Sequence, residues 1–206
     1  MSIKILVVIS GPSGVGKSTL IKEILNKKIK NLSLSVSFTT RKPRNNEKNG
    51  ENYFFISNQK FKKLIQQEKF LEYNEYCGNY YGTLKETVDG FLNSEEVLIL
   101  ELETLGYFDV KKIYPNSIGV FILSPGFKVL KERILFRNSQ DRCDTNNVSD
   151  RLEKAKKEIM LAENYDYVIV NENLEKSIND ILKIIESENL KTIKNKNLIY
   201  EVLNND

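Results

Sequence analysis

The chain has 206 residues, of which 40% are hydrophobic and 29% charged, a composition typical of one globular protein with a sizeable core. Its 31 basic and 28 acidic residues leave a net charge of +3, which argues against a protein dominated by nucleic-acid binding and allows small anionic ligands. It contains no histidine and only two cysteines, so histidine-dependent triads and histidine metal sites are excluded and no disulfide framework is expected.

The first elements of the chain are a strand, a glycine-rich turn and a helix. Residues 4–9 are apolar and continuous, which predicts a fully buried strand. This run is too short for a membrane span, and Gly-Lys-Ser follows it rather than a signal-peptide cleavage site. Residues 18–28 carry apolar side chains at helical spacing. With the cysteine usage, these observations predict a cytoplasmic protein without a membrane or nucleic-acid partner.

The turn between this strand and this helix matches the pattern G-x-x-x-x-G-K-[ST]. In a strand–turn–helix context, that pattern indicates a P-loop, whose backbone N–H groups converge on phosphate oxygens. Lys17 is expected to reach the β- and γ-phosphates, and the Ser18 hydroxyl is expected to ligate Mg²⁺. The alternative is a glycine-rich turn with an incidental lysine, which the complete motif disfavours. The predicted ATP-binding residues of the loop are Gly11, Pro12, Ser13, Gly14, Val15, Gly16, Lys17, Ser18 and Thr19.

Strands and helices alternate along the rest of the chain. The predicted strands cover residues 33–38, 52–56, 96–102, 118–123 and 167–170. The predicted helices cover residues 57–68, with Ser57 as cap, 84–92, 104–113, 125–137, 149–163 and 174–188. This alternation predicts an α/β fold with a parallel sheet and helices on both faces. Residues 138–147 form a polar break suited to a mobile cover, and residues 191–206 are interpreted as a peripheral helix or frayed end.

Two arginines in the polar stretch after the first helix are candidates for phosphate binding. Arg41 and Arg44 lie three positions apart around a proline, so their planar guanidinium groups can both face one dianionic phosphate. A solvated basic loop is an equally good interpretation of this stretch taken alone.

Residues 70–83 are rich in tyrosine and contain candidate acceptors for a base. Either Glu72 or Glu75 can accept hydrogen bonds from the N1–H and the exocyclic amine of guanine, whereas adenine offers neither donor at that edge. Tyrosine hydroxyls can complete the coordination of a phosphate. The alternative is an aromatic core hairpin, which we prefer for Tyr73 and Tyr76.

Two acids follow the predicted strand over residues 96–102, at the sheet edge where open α/β sheets bind ligands. Glu101 is expected to lie near Mg²⁺ as a Walker B-type acid, and Glu103 is expected to face the acceptor pocket. The alternative for either acid is an ordinary position at a helix start.

Four arginines flank or lie in the polar break of residues 138–147. Arginines that close over a transferring phosphoryl group stabilise its oxygens. Arg133 is interpreted as surface charge, which leaves three candidates: Arg137, Arg142 and Arg151.

Taken in this order, the motifs resemble guanylate kinase, in the nucleoside monophosphate kinase group, from about residue 3 to residue 186. The segments that carry the resemblance are Gly11–Thr19, Ser35–Arg44, Asn49–Phe55, Gly78–Thr83, Arg151–Leu152 and Tyr165–Leu174. The middle segments are more specific than the P-loop, because other P-loop kinases do not carry them. The resemblance implies one P-loop kinase domain with a core (residues 1–32, 94–136 and 148–190), a GMP-binding subdomain (about 33–93), a lid (about 137–147) and a tail (191–206).

The resemblance also implies the reaction and the residues that perform it. ATP and GMP, or dGMP, would give ADP and GDP, or dGDP, with Mg²⁺, on a monomer or homodimer. The positions implied to hold the GMP phosphate are Arg41, Arg44, Tyr53 and Tyr81. Those implied to bind guanine are Ser37, Glu72 and Thr83, with Glu101 and Glu103 completing the GMP site. The implied catalytic residues are Lys17, Arg41, Arg137 and Arg151, and Asn171 falls where the family approaches the adenine of ATP.

The sequence departs from the family pattern where Glu101-Leu102-Glu103 replaces the usual Asp-x-Asp, and Leu105 replaces a common glutamine. Each carboxylate therefore sits one methylene farther out. A misplaced charged hydrogen bond costs about 1.5–3 kcal/mol, so weaker selectivity or slower turnover is expected.

Three alternative functions were weighed against this one. Another P-loop kinase with a different acceptor would share the donor site. A non-catalytic, partner-binding relative would be expected to have a damaged P-loop, whereas Gly16, Lys17 and Ser18 are intact. A GTPase switch is set aside because the chain has no N-K-x-D motif.

Overall fold

The computed structural model describes residues 4–44, 47–76, 78–94, 97–140 and 148–204. Within these ranges, the strands are β1 (Ile5–Ser10), β2 (Leu32–Leu34), β3 (Phe38–Thr39), β4 (Phe54–Phe55), β5 (Phe70–Tyr76), β6 (Asn79–Leu84), β7 (Val97–Glu101), β8 (Ile118–Leu123) and β9 (Tyr167–Val170). The helices are α1 (Lys17–Asn26), α2 (Asn58–Gln66), α3 (Lys85–Ser94), α4 (Thr104–Ile113), α5 (Phe127–Gln140), α6 (Val148–Met160), α7 (Leu174–Asn189) and α8 (Lys196–Asn204).

The larger sheet forms the centre of the fold and is parallel throughout, in the order β2-β7-β1-β8-β9. Every residue of β1 is buried, because apolar clusters cover both faces of the sheet. The register aligns Ile9 with Glu101 and with Val120, so β1, β7 and β8 end at the same edge. The predicted α/β class with a parallel core is confirmed.

The smaller sheet has the order β4-β3-β6-β5 and lies between β2 and β7 in the chain. The single strand predicted over residues 33–38 is wrong, because β2 pairs with β7 whereas β3 pairs with β6. The Ser35 N–H still donates to Ile99 O of the core (2.9 Å), but Ser37 O accepts from Phe54 N of the smaller sheet (2.9 Å). The chain therefore passes from one sheet to the other between these two serines.

The smaller sheet has an aromatic core of its own. Phe61 of α2 stacks on Phe70 (4.3 Å between ring centroids) and on Tyr80 (5.3 Å). The interpretation of Tyr73 as a core residue is wrong, since it is 49% exposed. Side chains alternate along a strand, and the buried side of β5 at this point is taken by its neighbour Glu72. The Tyr76 side chain lies outside the described part.

Several predicted boundaries match the structure, and others shift. The bounds of α4, β8 and β9 agree with the prediction, and the Ser57 hydroxyl caps α2 by accepting from Lys60 N (3.2 Å). Helix α5 runs to Gln140, three residues beyond its predicted end. Residues 141–147 of the predicted lid lie outside the described part. None of the helices in the described ranges is long and apolar enough to cross a membrane.

Candidate active site

The loop between β1 and α1 has a backbone that only glycine adopts readily. Gly11, Gly14 and Gly16 have φ values of 143°, 89° and 98°. A side chain at Gly11 would collide with the carbonyl of Ile122, and one at Gly16 would lie 2.6 Å from Asn171 Nδ2. Both the dihedral angles and the packing therefore require glycine at the two ends of the motif.

Side chains from three elements meet the carbonyl groups of this loop. The Lys17 ammonium donates to Gly11 O (2.6 Å) and Pro12 O (3.2 Å), so the lysine is folded over the loop. Val15 O accepts from Asn171 Nδ2 (2.8 Å) and from Arg133 Nη1 (3.4 Å). The interpretation of Arg133 as surface charge is therefore wrong. The contact follows from the packing of α5 against the loop, which no local sequence pattern indicates.

Ser18 and Glu101, the two residues predicted to lie at the magnesium ion, are in contact with each other. The Ser18 hydroxyl donates to Glu101 Oε1 at 2.7 Å, so the longer glutamate does reach the first turn of α1. These hydroxyl and carboxylate oxygens are the ligand class that Mg²⁺ prefers. Among the described residues, no cluster of three acidic, histidine or cysteine side chains is placed to hold a metal. A magnesium ion here would therefore take part of its coordination from nucleotide phosphates and water.

Arg41 lies in a partly buried cluster of the polar stretch between β3 and β4. Its Nη1 and Nη2 donate to the two carboxylate oxygens of Glu47 (2.9 and 2.8 Å). Its guanidinium carbon lies 5.6 Å from the ring centroid of Tyr53 and 5.8 Å from that of Phe55. Arg44 is exposed, and its N–H also donates to Glu47 (2.8 Å). Glu47 was missed in the sequence, where it is one acid in a polar loop.

Tyr53 and Tyr81 complete this cluster. Their rings pack edge to face with centroids 6.0 Å apart. Burial and the nearby charge of Glu101 raise the pKa of Tyr53 to about 12, so its hydroxyl stays a donor. Burial also raises the pKa of Tyr81, against the opposing charge of the nearby Arg41. Tyr53 therefore belongs to the arginine cluster and lies within electrostatic range of the acid beside the P-loop.

The three residues predicted to bind guanine form one hydrogen-bonded group. The hydroxyls of Ser37 and Thr83 are 3.0 Å apart, and Thr83 pairs with Glu72 across the β5–β6 ladder. Burial raises the pKa of Glu72 to about 7, against hydrogen bonds from Thr83 that lower it. Position 82, just before Thr83, requires glycine, because a Cβ there would lie 2.8 Å from Glu72 O.

The Glu72 carboxylate also lies against the first turn of α4. A Cβ built at Gly106 would lie 3.1 Å from Glu72 Oε2, so glycine at this position allows the close approach. Gly106 was missed as a site residue. Its signal was a glycine inside a predicted helix, where alanine would be more favourable by about 1 kcal/mol.

Glu103 follows β7 and precedes α4, but its side chain does not cap that helix. It pairs with Lys154 of α6 (2.9 Å), which also lies 3.8 Å from Glu158. Burial raises the pKa of Glu158, and the positive charges of Lys154 and Lys17 oppose this rise. Helix α6 therefore connects Glu103 with the P-loop lysine. Lys154 and Glu158 were missed, although they share a helix face with the predicted Arg151.

Other predicted site residues lie in the P-loop and on α1, α5 and α6. Arg151 is 7% exposed on α6. Ser13 lies in the loop, and Thr19 is exposed in the first turn of α1. The backbone of Arg137 belongs to α5, but its side chain lies outside the described part, as does Arg142.

Comparison with known proteins identifies the family. The family model for guanylate kinase matches residues 4–188. The guanylate kinase of Thermotoga maritima is 40% identical over 94% of this chain and 92% of its own length, and that of Clostridioides difficile is 41% identical over 96% and 94%. The crystal structure of guanylate kinase from Anaplasma phagocytophilum superposes with a TM-score of 0.76 at 29% identity, covering 94% of this chain and 90% of that one. The chain belongs to the guanylate kinase family.

Proposed function

We propose that this enzyme transfers the γ-phosphoryl group of ATP to GMP, and also to dGMP, giving ADP and GDP or dGDP. The observation that carries the choice of acceptor is the buried Glu72 carboxylate beside Thr83, whose hydroxyl lies 3.0 Å from that of Ser37. A buried carboxylate at neutral pH requires donors, and the N1–H and amine of guanine supply two that point the same way. A base without them would leave the carboxylate unpaired, which is the strongest source of selectivity in a closed site.

The donor nucleotide binds on the loop from Gly11 to Thr19. Its phosphates take the place where the loop N–H groups converge, and Lys17 leaves the loop carbonyls to contact the phosphate oxygens. Asn171, fixed by its bond to Val15 O, lines the adenine side. Ser18 and Glu101 would hold Mg²⁺, which would supply positive charge to the transferring phosphoryl oxygens.

The acceptor phosphate binds between Arg41, Arg44, Tyr53 and Tyr81. The guanidinium groups offer charged hydrogen bonds, and the two tyrosines donate their hydroxyl protons. Because Tyr53 also lies near Glu101, this position faces the metal and the P-loop.

The transfer needs positioning and charge rather than a strong base. The attacking phosphate oxygen of GMP is already anionic, which suits a chain without histidine. Lys17, Arg41, Arg137 and Arg151 neutralise charge as the phosphoryl group moves in line from donor to acceptor. Closure of the lid (137–147) and of the GMP-binding subdomain (33–93) over the core excludes water, so that ATP is not hydrolysed. We place this reaction in the cytoplasm, on a monomer or homodimer.

A coupled assay for ADP release across GMP, dGMP, AMP, UMP and CMP tests the proposal. GMP and dGMP should be the best acceptors by a wide margin. Use of AMP as readily as GMP would contradict the proposed acceptor. Omission of Mg²⁺ should abolish turnover, and turnover without any divalent cation would contradict the donor-site assignment.

A further inference from the structure

Glu47, the ion-pair partner of Arg41, has no part in the proposed reaction as described so far. Both side chains are largely shielded from solvent, at 17% and 15% exposed. The Glu47 carboxylate accepts hydrogen bonds from both terminal nitrogens of the Arg41 guanidinium, and Nη1 also donates to Lys42 O (2.8 Å). Exposed single-contact ion pairs contribute little, whereas this bidentate and shielded arrangement fixes the plane of the arginine.

Glu47 is itself fixed by the turn that carries it. Its N–H donates to Arg44 O (3.0 Å), and its carboxylate accepts from Arg44 N (2.8 Å). Burial alone would raise the pKa of Glu47, but the hydrogen bonds from Arg41 and from the Arg44 N–H lower it below its ordinary value. The Glu47 carboxylate thus stays charged through the neutral range, and its bonds to the Arg44 backbone hold it in place.

We propose that Glu47 is a positioning residue that holds the Arg41 guanidinium beside Tyr53 and Tyr81 before the acceptor phosphate arrives. The proposal rests on the proposed function, because it assumes that Arg41 binds that phosphate. Arginine has several rotatable bonds, and a guanidinium held in advance loses less conformational freedom on binding. The competing interpretation is that Glu47 occupies the phosphate position and must be displaced. The bonds between Glu47 and the Arg44 backbone favour positioning, since displacement would break the turn as well.

The two interpretations predict opposite signs for Glu47→Gln. Under positioning, KM for GMP should rise about tenfold, and kcat at saturating GMP should fall by a smaller factor, because Arg41 also neutralises charge during the transfer. The dissociation constant of GMP should rise by the same factor, and that of guanosine, which has no phosphate, should not change. Glu51→Gln is the matched control, because Glu51 lies in the same stretch but is 64% exposed and pairs with Lys48, which is 74% exposed.

A double-mutant cycle separates positioning from a general loss of structure. In an Arg41→Ala background, Glu47→Gln should not change the ratio of GMP to guanosine affinity any further. A lower KM for GMP in Glu47→Gln would overturn the proposal in favour of displacement. In the otherwise wild-type protein, Glu47→Gln should change the ratio of GMP to guanosine affinity. Equal weakening of GMP and guanosine binding by this single substitution would also overturn the proposal.

Two further observations keep the test decisive. If Glu47→Gln does not fold, Glu47→Asp retains the charge at a shorter reach and should show a smaller rise in KM of the same kind; an unchanged KM there would refute positioning. A wild-type protein that does not phosphorylate GMP would refute the proposed function, whereas an active wild type with an unchanged affinity ratio in the variant would refute positioning alone.

Discussion

The donor and acceptor sides of this active site are built in different ways. The proposed donor side is a backbone structure, in which glycine dihedral angles shape the loop at the end of the fully buried strand β1. The acceptor side is a side-chain structure, in which Glu72, Thr83 and Arg41 come from separate segments of a small sheet with its own core. Backbone sites tolerate change away from their glycines, whereas side-chain sites depend on every neighbour that orients them.

The largest effect is expected where a single donor-side charge is removed. Lys17→Ala should lower kcat by about 10²–10³-fold, because the lysine neutralises charge that develops on the phosphoryl group. GMP affinity should stay unchanged, since the acceptor side does not use this lysine. Steady-state kinetics and GMP calorimetry measure the two effects, and equal activity in the variant would remove the proposed mechanism.

On the acceptor side, Glu72→Gln should produce a large loss confined to GMP. The amide cannot accept from both guanine donors without presenting its own N–H groups to them, which should lower kcat/KM for GMP about 10²-fold. The affinity for ATP should not change. A parallel loss of ATP affinity would mean that the two sides are not separable as described.

The pH dependence of guanosine binding should also be confined to the acceptor side. The pKa of Glu72 is raised to about 7, and guanine requires the ionised form, so affinity should fall about tenfold per pH unit below that value. Guanosine is the appropriate ligand because it carries no titrating phosphate. Calorimetry from about pH 5.5 to about pH 8.5 tests this expectation, and a flat profile would contradict it.

The raised pKa of Glu72 also affects stability: the free energy of unfolding should fall with rising pH, whereas guanosine affinity should rise. Because the folded protein holds the Glu72 proton more tightly than the unfolded chain, the free energy of unfolding should fall as pH rises from 4.5 to about 7. Glu72→Gln should remove this component, so that the variant gains stability over the wild type above pH 7. Urea titrations at several pH values measure the difference, which should be at most on the order of 3 kcal/mol.

The smallest predicted effect tests the contact between the acceptor side and α4. Gly106→Ala should raise KM for GMP severalfold, because its methyl group would push the Glu72 carboxylate by a few tenths of an ångström. Gly90→Ala in α3 is the control, since within the described part of the chain a Cβ there meets no atom within 4 Å apart from its own helix, and the change should only stabilise that helix, by about 1 kcal/mol. Identical GMP kinetics in the two variants would show that the glycine is not needed for the site.

The donor side can be predicted from sequence further than the acceptor side, because the first is built from backbone and the second from side chains of separate segments. The P-loop was predictable because its determinants lie within one short segment, and the parallel core was predictable from strand–helix alternation. Ser37, Glu72 and Thr83 were found through family resemblance, and the structure brings them together. Glu47, Gly106 and Lys154 were missed because their contacts depend on how loops and helices pack, which no local pattern encodes. Tyr73 was misjudged because alternation on β5 could not be assigned to a face before Glu72 was known to be buried.

The pairing of β2 directly with β7 has a consequence for where the proposed acceptor site lies in the chain. The chain leaves the core after Leu34 and returns to it at Val97, and the register places Leu32 beside Val97. Because the two strands are parallel, Leu34 lies beside Ile99, two residues along β7 from the return at Val97. Both ends of the intervening segment are therefore held by one strand pair, and extra length between them adds little closure entropy. Most of the proposed acceptor site is thus one continuous insertion into the core: Arg41, Glu72 and Thr83 lie between these two points, and the donor loop lies outside them.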